Sequence, residues 1–320
     1  MSTFWSLWVA ILSISCLVLV FGILYWNMQN YTGVEEGKSM GHEFDGIEEL
    51  NNPLPAWWTK MFWATAVWAV YYLIAYPGLG NYAGILDWTS SNQGLKSVAE
   101  SKAATQAGID NGLHVQYDQE VVKANEKFGP IFEKFAKQDI VALAKNEDAL
   151  EIGQRLFLQN CSQCHGSDAR GGEGFPNLTD NDWLYGGSPE KIKESLLIGR
   201  KAAMPGWEAT LGEDGVKQVT AYVISLSGRE VDSALAAAGE AKYGMCAACH
   251  GADGKGSLAH NLPFGAPDLT DNIWLYGGSE RAITETIKHG RNGVMPAWKE
   301  ILGEDKVHII SAYVYSLSNK

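Results

Sequence analysis

Cys161-Ser-Gln-Cys164-His165 and Cys246-Ala-Ala-Cys249-His250 are the two stretches that decide the fold. Each is a C-x-x-C-H run, the attachment pattern of c-type haem. Two thiols at this spacing can each form a thioether to one haem vinyl group, and the adjacent histidine then lies beneath the iron. Zinc would need four protein ligands, and neither run has a matching second pair. A thioredoxin-type dithiol would want a βαβ setting, whereas the surrounding sequence reads as helical throughout. Cys161, Cys164, Cys246 and Cys249 are therefore expected to carry two covalent haems c, with His165 and His250 as axial ligands.

Downstream of each run the chain repeats itself. Pro176–Ser188 (PNLTDNDWLYGGS) returns as Pro267–Ser279 (PDLTDNIWLYGGS), and Leu211-Gly-Glu-Asp214 as Leu302-Gly-Glu-Asp305. Aligning 176–227 with 267–318 gives about 29 identities in 52 positions. The expectation is two separate small domains in tandem, since two units are too few for a solenoid.

Met204-Pro205 and Met295-Pro296 occupy equivalent places in the repeat. A thioether is the usual sixth ligand of an electron-carrying c haem and raises its potential. Met204 is the only methionine of the first copy after its motif, so Met204 is expected on the first haem and Met295 on the second. His260, His289 and His308 have no counterpart in the first copy and leave bis-histidine ligation open at the second haem. Arg200 and Arg291 could hold haem propionates or serve as surface residues. Gly153 and Gly239 are expected to let the first and last helices of each module pack closely, with Tyr222 and Tyr313 on the last helices.

Upstream, Phe4–Trp26 carries no formal charge and spans about 34 Å as a helix, enough for a bilayer core. Trp5, Trp8, Tyr25 and Trp26 stand at its ends, as interfacial aromatics do. A cleaved signal would want a basic start, a shorter apolar core and small residues at a cleavage site. A second apolar stretch, about 57–79, ends at Pro77-Gly78 and is expected to span as well. Between them lies a polar loop with Glu35, Glu36, Glu43, Asp45, Glu48 and Glu49.

The expected architecture is all-α, a transmembrane anchor followed by two tandem class I c-type cytochrome domains. Its parts are the anchor (1–86), a tether (87–145, partly flexible near Ser97–Gly112), cytochrome domain one (146–228) and domain two (229–320). Haem c is attached outside the bacterial cytoplasmic membrane, which places both modules in the periplasm and the acidic loop in the cytoplasm. With 25 basic against 37 acidic residues, nucleic acid is not expected as a partner.

This assembly resembles the dihaem subunit of cbb3-type cytochrome c oxidases, a branch of the haem–copper oxidases. The specific match is Asp45-Gly-Ile-Glu-Glu-Leu-Asn-Asn-Pro-Leu-Pro55 leading into Trp57-Trp58. The resemblance implies a subunit that takes electrons from a soluble or membrane-bound cytochrome c donor. It would pass them to a monohaem cytochrome subunit and on to a catalytic haem–copper subunit that reduces oxygen and pumps protons. No residue of this chain is expected to be catalytic. Two other readings share the haem motifs: a free-standing membrane-anchored electron shuttle, and a dihaem enzyme such as a peroxidase, which needs an open sixth site that the matched Met-Pro pairs argue against.

Overall fold

The computed structural model describes residues 1–29, 32–86, 95–113 and 115–319; the start of the connector, 87–94, lies outside these. In chain order the first half carries α1 (Thr3–Asn27), β1 (Ser39–Phe44), β2 (Ile47–Leu50), α2 (Ala56–Ala75), α3 (Val98–Asp110), α4 (Gln116–Ala136) and α5 (Ile140–Leu143). The first copy opens with α6 (Glu147–Asn160), its Cys161–His165 motif follows at α7 (Ser162–His165), and α8 (Pro189–Ile198), β3 (Arg200–Pro205) and α9 (Glu208–Leu226) come next. The second copy comprises α10 (Ser233–Glu240), α11 (Gly244–His250), α12 (Gly256–Ala259), α13 (Glu280–His289), β4 (Gly290–Met295), α14 (Lys299–Leu302) and α15 (Glu304–Ser318). The chain divides into two compact units, Met1–Lys123 and Ala124–Lys320.

In the first unit, α1 is apolar on every side and nearly all of it is exposed, Leu24 being its one buried residue. Among the described residues it is the one helix long and apolar enough to cross a membrane. α2 lies antiparallel to it. Asn81 N–H donates to Ser6 Oγ at 2.8 Å, the Phe21 and Trp63 rings are 5.4 Å apart, and Trp63 Nε1 donates to Met28 Sδ at 3.2 Å.

Two local features depart from expectation. The acidic loop is a β-hairpin, in which Phe44 faces Ile47 and Asp45-Gly46 form the turn. Both turn residues have positive φ, 51° and 80°, the type I′ geometry that Asp-Gly favours. The Ser97–Gly112 segment is helical rather than loose. Its alanines are strong helix formers, and Ser97 caps the first turn by accepting from Glu100 N–H at 3.2 Å.

The second unit holds both haem motifs, and its helices do not close on themselves copy by copy. α15, the last helix of the second copy, packs on α5, α6 and α8 of the first part of the unit. α9, the last helix of the first copy, packs on α10 and α13 of the second. One core therefore joins Leu156, Phe157, Ile192 and Leu196 to Val307, Ile310 and Val314. The other joins Val216, Val219 and Val223 to Tyr243, Ile283 and Ile287. The last helix of each copy thus packs in the core of the other copy's module, an exchange of last helices between the two. Because the copies are so alike, each helix meets in the other module the surface it would have met in its own, so exchange costs little.

Matching contacts recur on both sides. A Cβ on Gly153 would stand 2.7 Å from Tyr313 Cβ, and one on Gly239 would stand 2.9 Å from Tyr222 Cβ. Trp298 N–H donates to Leu196 O and Trp207 N–H to Ile287 O, each at 2.9 Å. The exchange passes through an antiparallel ribbon of β3 and β4, so the modules are not helical throughout. Gly199 (φ 72°) and Gly290 (φ 74°) end α8 and α13 and start the crossing. A side chain on either would collide with the facing strand, at Met295 O and Met204 O respectively.

The tether's end belongs to this unit. Phe132, Phe135, Ile140 and Leu143 pack against Ile309 and Ala312 of α15. His308, also on α15, pins the same contact: its Nε2–H donates to Gln138 O at 2.8 Å, and its Nδ1 lies 3.0 Å from Lys193 Nζ. Burial lowers its pKa; Lys193 acts in the same sense, against the Gln138 bond and the more distant Asp139 and Asp305. A histidine depressed in the folded state contributes stability that is whole above pH about 6.5 and falls as pH drops below it. Thermal unfolding of the wild type should lose a few degrees between pH 7 and 5.5. His308→Gln should lack that pH-dependent part, as a Tm series for both chains would show.

Candidate functional site: a cavity lined by both cysteine motifs

The site is a cavity of about 680 Å³ that runs between the two modules. Its lining includes all four motif cysteines together with His165, His250, Met204 and Met295.

Each histidine is held the same way. His165 Nδ1 lies 3.0 Å from Pro176 O, and His250 Nδ1 lies 3.0 Å from Pro267 O. A proline carbonyl can only accept, so Nδ1 carries the proton and Nε2 keeps its lone pair free for a metal. Burial lowers both imidazole pKa values, against the raising effect of the proline bonds, and so favours the neutral, ligating form. Burial, with Cys164 nearby, pushes the Cys161 thiol up to about 11; Cys246 is raised for the same reason beside Cys249. That is the reverse of a nucleophilic dithiol, whose thiols are depressed.

The ribbon delivers the methionines. Alternate residues of β3 (Arg200, Ala202, Met204) are half-buried, and so are Arg291, Gly293 and Met295 of β4. In the register Arg200 faces Met295, and Met204 faces Arg291. Met295 packs on the core that contains Cys161, and Met204 on the core that includes Cys246. Chain order had paired Met204 with His165; the exchange of helices carries each methionine across to the other module. His260, His289 and His308 do not line the cavity. His260 meets Asp253 at 2.8 Å and His289 meets Glu285 at 3.4 Å, while His308 serves the tether contact.

The charged lining is sparse. Arg200 is stacked on Tyr185 (4.7 Å) and paired with Glu194 at 2.9 Å, while Arg291 is stacked on Tyr276 (4.4 Å). Asp182 is pushed up to about 6 by burial and by Asp271, Asp180 and Asp268. Sequence reasoning had not singled out Asp182 or the two tyrosines; the one signal was that both tyrosines lie inside the repeated Trp-Leu-Tyr-Gly-Gly segment.

Comparison with known proteins decides the family. Residues 148–223 and 234–314 match the family described as cytochrome c oxidase, cbb3-type, subunit III, and residues 36–83 match the N-terminal domain of cytochrome oxidase-cbb3, FixP. The chain belongs to the subunit III family of cbb3-type cytochrome c oxidases. Among curated relatives, the cbb3-type cytochrome c oxidase subunit CcoP of Rubrivivax gelatinosus is 42% identical over 98% of this chain and 95% of its own length. Subunit FixP of Sinorhizobium medicae is 38% identical over 91% of this chain and 96% of its own. Subunit CcoP of Cereibacter sphaeroides is 37% identical over 88% and 95%. This cbb3 subunit III is thus a membrane-anchored cytochrome c that transfers electrons to the oxidase, and it works beside the other oxidase subunits. Its cytochrome c segments imply c-type haem.

Proposed function

We propose that the chain binds two haems c with crossed ligation. Cys161 and Cys164 hold one, with His165 and Met295 on its iron; Cys246 and Cys249 hold the other, with His250 and Met204. The observation that carries this is the packing of each methionine into the core of the opposite motif. The orphaned Tyr185 hydroxyl, the half-buried arginines and the oriented imidazoles suit a group that is apolar at its centre and anionic at its edge.

Bound haem supplies one-electron exchange between ferrous and ferric iron. The protein residues set the conditions for it. His165 and His250 present Nε2, and the ribbon holds two thioethers in fixed places. Met204 and Met295 lie on adjacent strands about four residues out of step, about 13 Å along the ribbon. The small residues Ala202 and Gly293 face each other between them, leaving little protein bulk between the two sites.

The anchor is read as two spans. α2 is about 30 Å long at its 20 residues, and its antiparallel contacts with α1 are those of a helical hairpin. The haem unit then faces the bacterial periplasm, where it accepts electrons from a cytochrome c donor and passes them to a monohaem cytochrome subunit and the catalytic haem–copper core. A pyridine haemochrome assay on the mildly solubilised complex, with oxygen uptake on the same sample, tests this. Two haems c from this chain, haem b beside them and cyanide-sensitive uptake are expected. A single haem c in this chain, or uptake absent from a complex with all its subunits, would contradict the proposal.

A further inference from the structure

The Tyr185 hydroxyl is buried and meets no hydrogen-bond partner among the described residues. A buried donor left unmet is costly, so one in a cavity wall signals a ligand atom opposite it. The ring of Tyr185 lies beneath the Arg200 guanidinium, 4.7 Å from its centroid to the cation. Its tip reaches across into the second module, where a Cβ on Gly265 would collide with the hydroxyl. Gly265 (φ 65°) stands two residues before Pro267, whose carbonyl orients His250. Arg200 in turn faces Met295, the thioether of the first haem site. The equivalent tyrosine behaves differently. A Cβ on Gly174 would stand 3.0 Å from a ring-edge carbon of Tyr276, away from its hydroxyl, and that hydroxyl is not left buried and unpaired.

Resting on the dihaem reading above, we propose that Tyr185 is a positioning residue for the haem on Cys161 and Cys164, its hydroxyl donating to a propionate carboxylate at the seam between the modules, beside the Arg200 guanidinium. The propionates are the charged groups of haem c, and a neutral O–H paired with a guanidinium is a donor set suited to a carboxylate. Donation to that carboxylate offsets negative charge near the iron and favours the ferrous state, which carries one positive charge fewer. The contact with Gly265 also ties this haem's edge to the loop that orients His250.

The test is a spectroelectrochemical titration of the c haems in the intact complex carrying Tyr185→Phe, with Arg200→Lys as a second variant and Tyr276→Phe as the comparison. Phenylalanine keeps the ring beneath Arg200 and removes only the donor. One c-haem midpoint should move to lower potential in Tyr185→Phe and in Arg200→Lys, with the other midpoint and the low-spin spectrum kept. Tyr276→Phe should produce a smaller shift or none. Unchanged midpoints in both Tyr185→Phe and Arg200→Lys, or an equal shift in Tyr276→Phe, would overturn the proposal. A wild-type count of fewer than two c haems would instead strike at the dihaem reading.

Discussion

In a chain whose Cys246 and Cys249 are changed to alanine, Met295→Ala should turn the remaining c haem from low-spin to high-spin, while Met204→Ala leaves it low-spin. The remaining haem is the one on Cys161 and Cys164, and the thioether in its core is Met295, delivered by β4 from the other copy. Removing that sulfur takes away the thioether that packs on this core, and His260, His289 and His308 do not line the cavity to replace it. In the converse chain, with Cys161 and Cys164 changed to alanine, the dependence should pass to Met204. Conversion should be close to complete in the sensitive variant of each pair, as optical and EPR spectra would show. The opposite dependence would restore the pairing expected from chain order.

The second large effect concerns independence. A chain ended at Gly228 contains the whole first copy, yet it should fail to fold a stable haem module. It loses α15 and with it Val307, Ile310 and Val314, which complete the core around Leu156, Phe157 and Cys161. At about 1.5–3 kcal/mol for each buried aliphatic side chain, the loss is about 5–9 kcal/mol. Domains hold about 5–15 kcal/mol in all. It also leaves α9 without α10 and α13, its packing partners. Protease resistance and covalent haem content of the truncated chain would check this. A stable, low-spin, haem-loaded fragment would show that the first copy closes on itself.

Much of the site was readable in the residues because the chemistry is local. C-x-x-C-H fixes two thiols and an imidazole within one helical turn, and the repeat marked Met204 and Met295 as equivalents. Even the tight glycines were readable: Gly153 and Gly239 do meet Tyr313 and Tyr222 on last helices. Which last helix meets which glycine was not. A repeat with more than half its positions identical offers two interfaces of nearly equal quality, so packing energy alone cannot choose between them. A signal was nevertheless present in the connection between α9 and α10, residues 227–232, which is short enough to hold these helices side by side. The β-ribbon was hidden for a related reason. Its strands pair with each other across the pseudo-symmetry axis, and nothing within one copy announces a partner in the next. The hairpin at Asp45-Gly46 has its one local signal in that turn dipeptide, set among acidic residues whose charge says nothing about strand pairing.

The exchange of last helices is tested most directly by a photoreactive side chain at Tyr313, whose ring lies 5.5 Å from that of Phe157. After irradiation of the native complex, peptide mass spectrometry should find the adduct on α6, within residues 147–160. An adduct on α10, within residues 233–240, would mean that each copy keeps its own last helix, and the crossed account would be wrong.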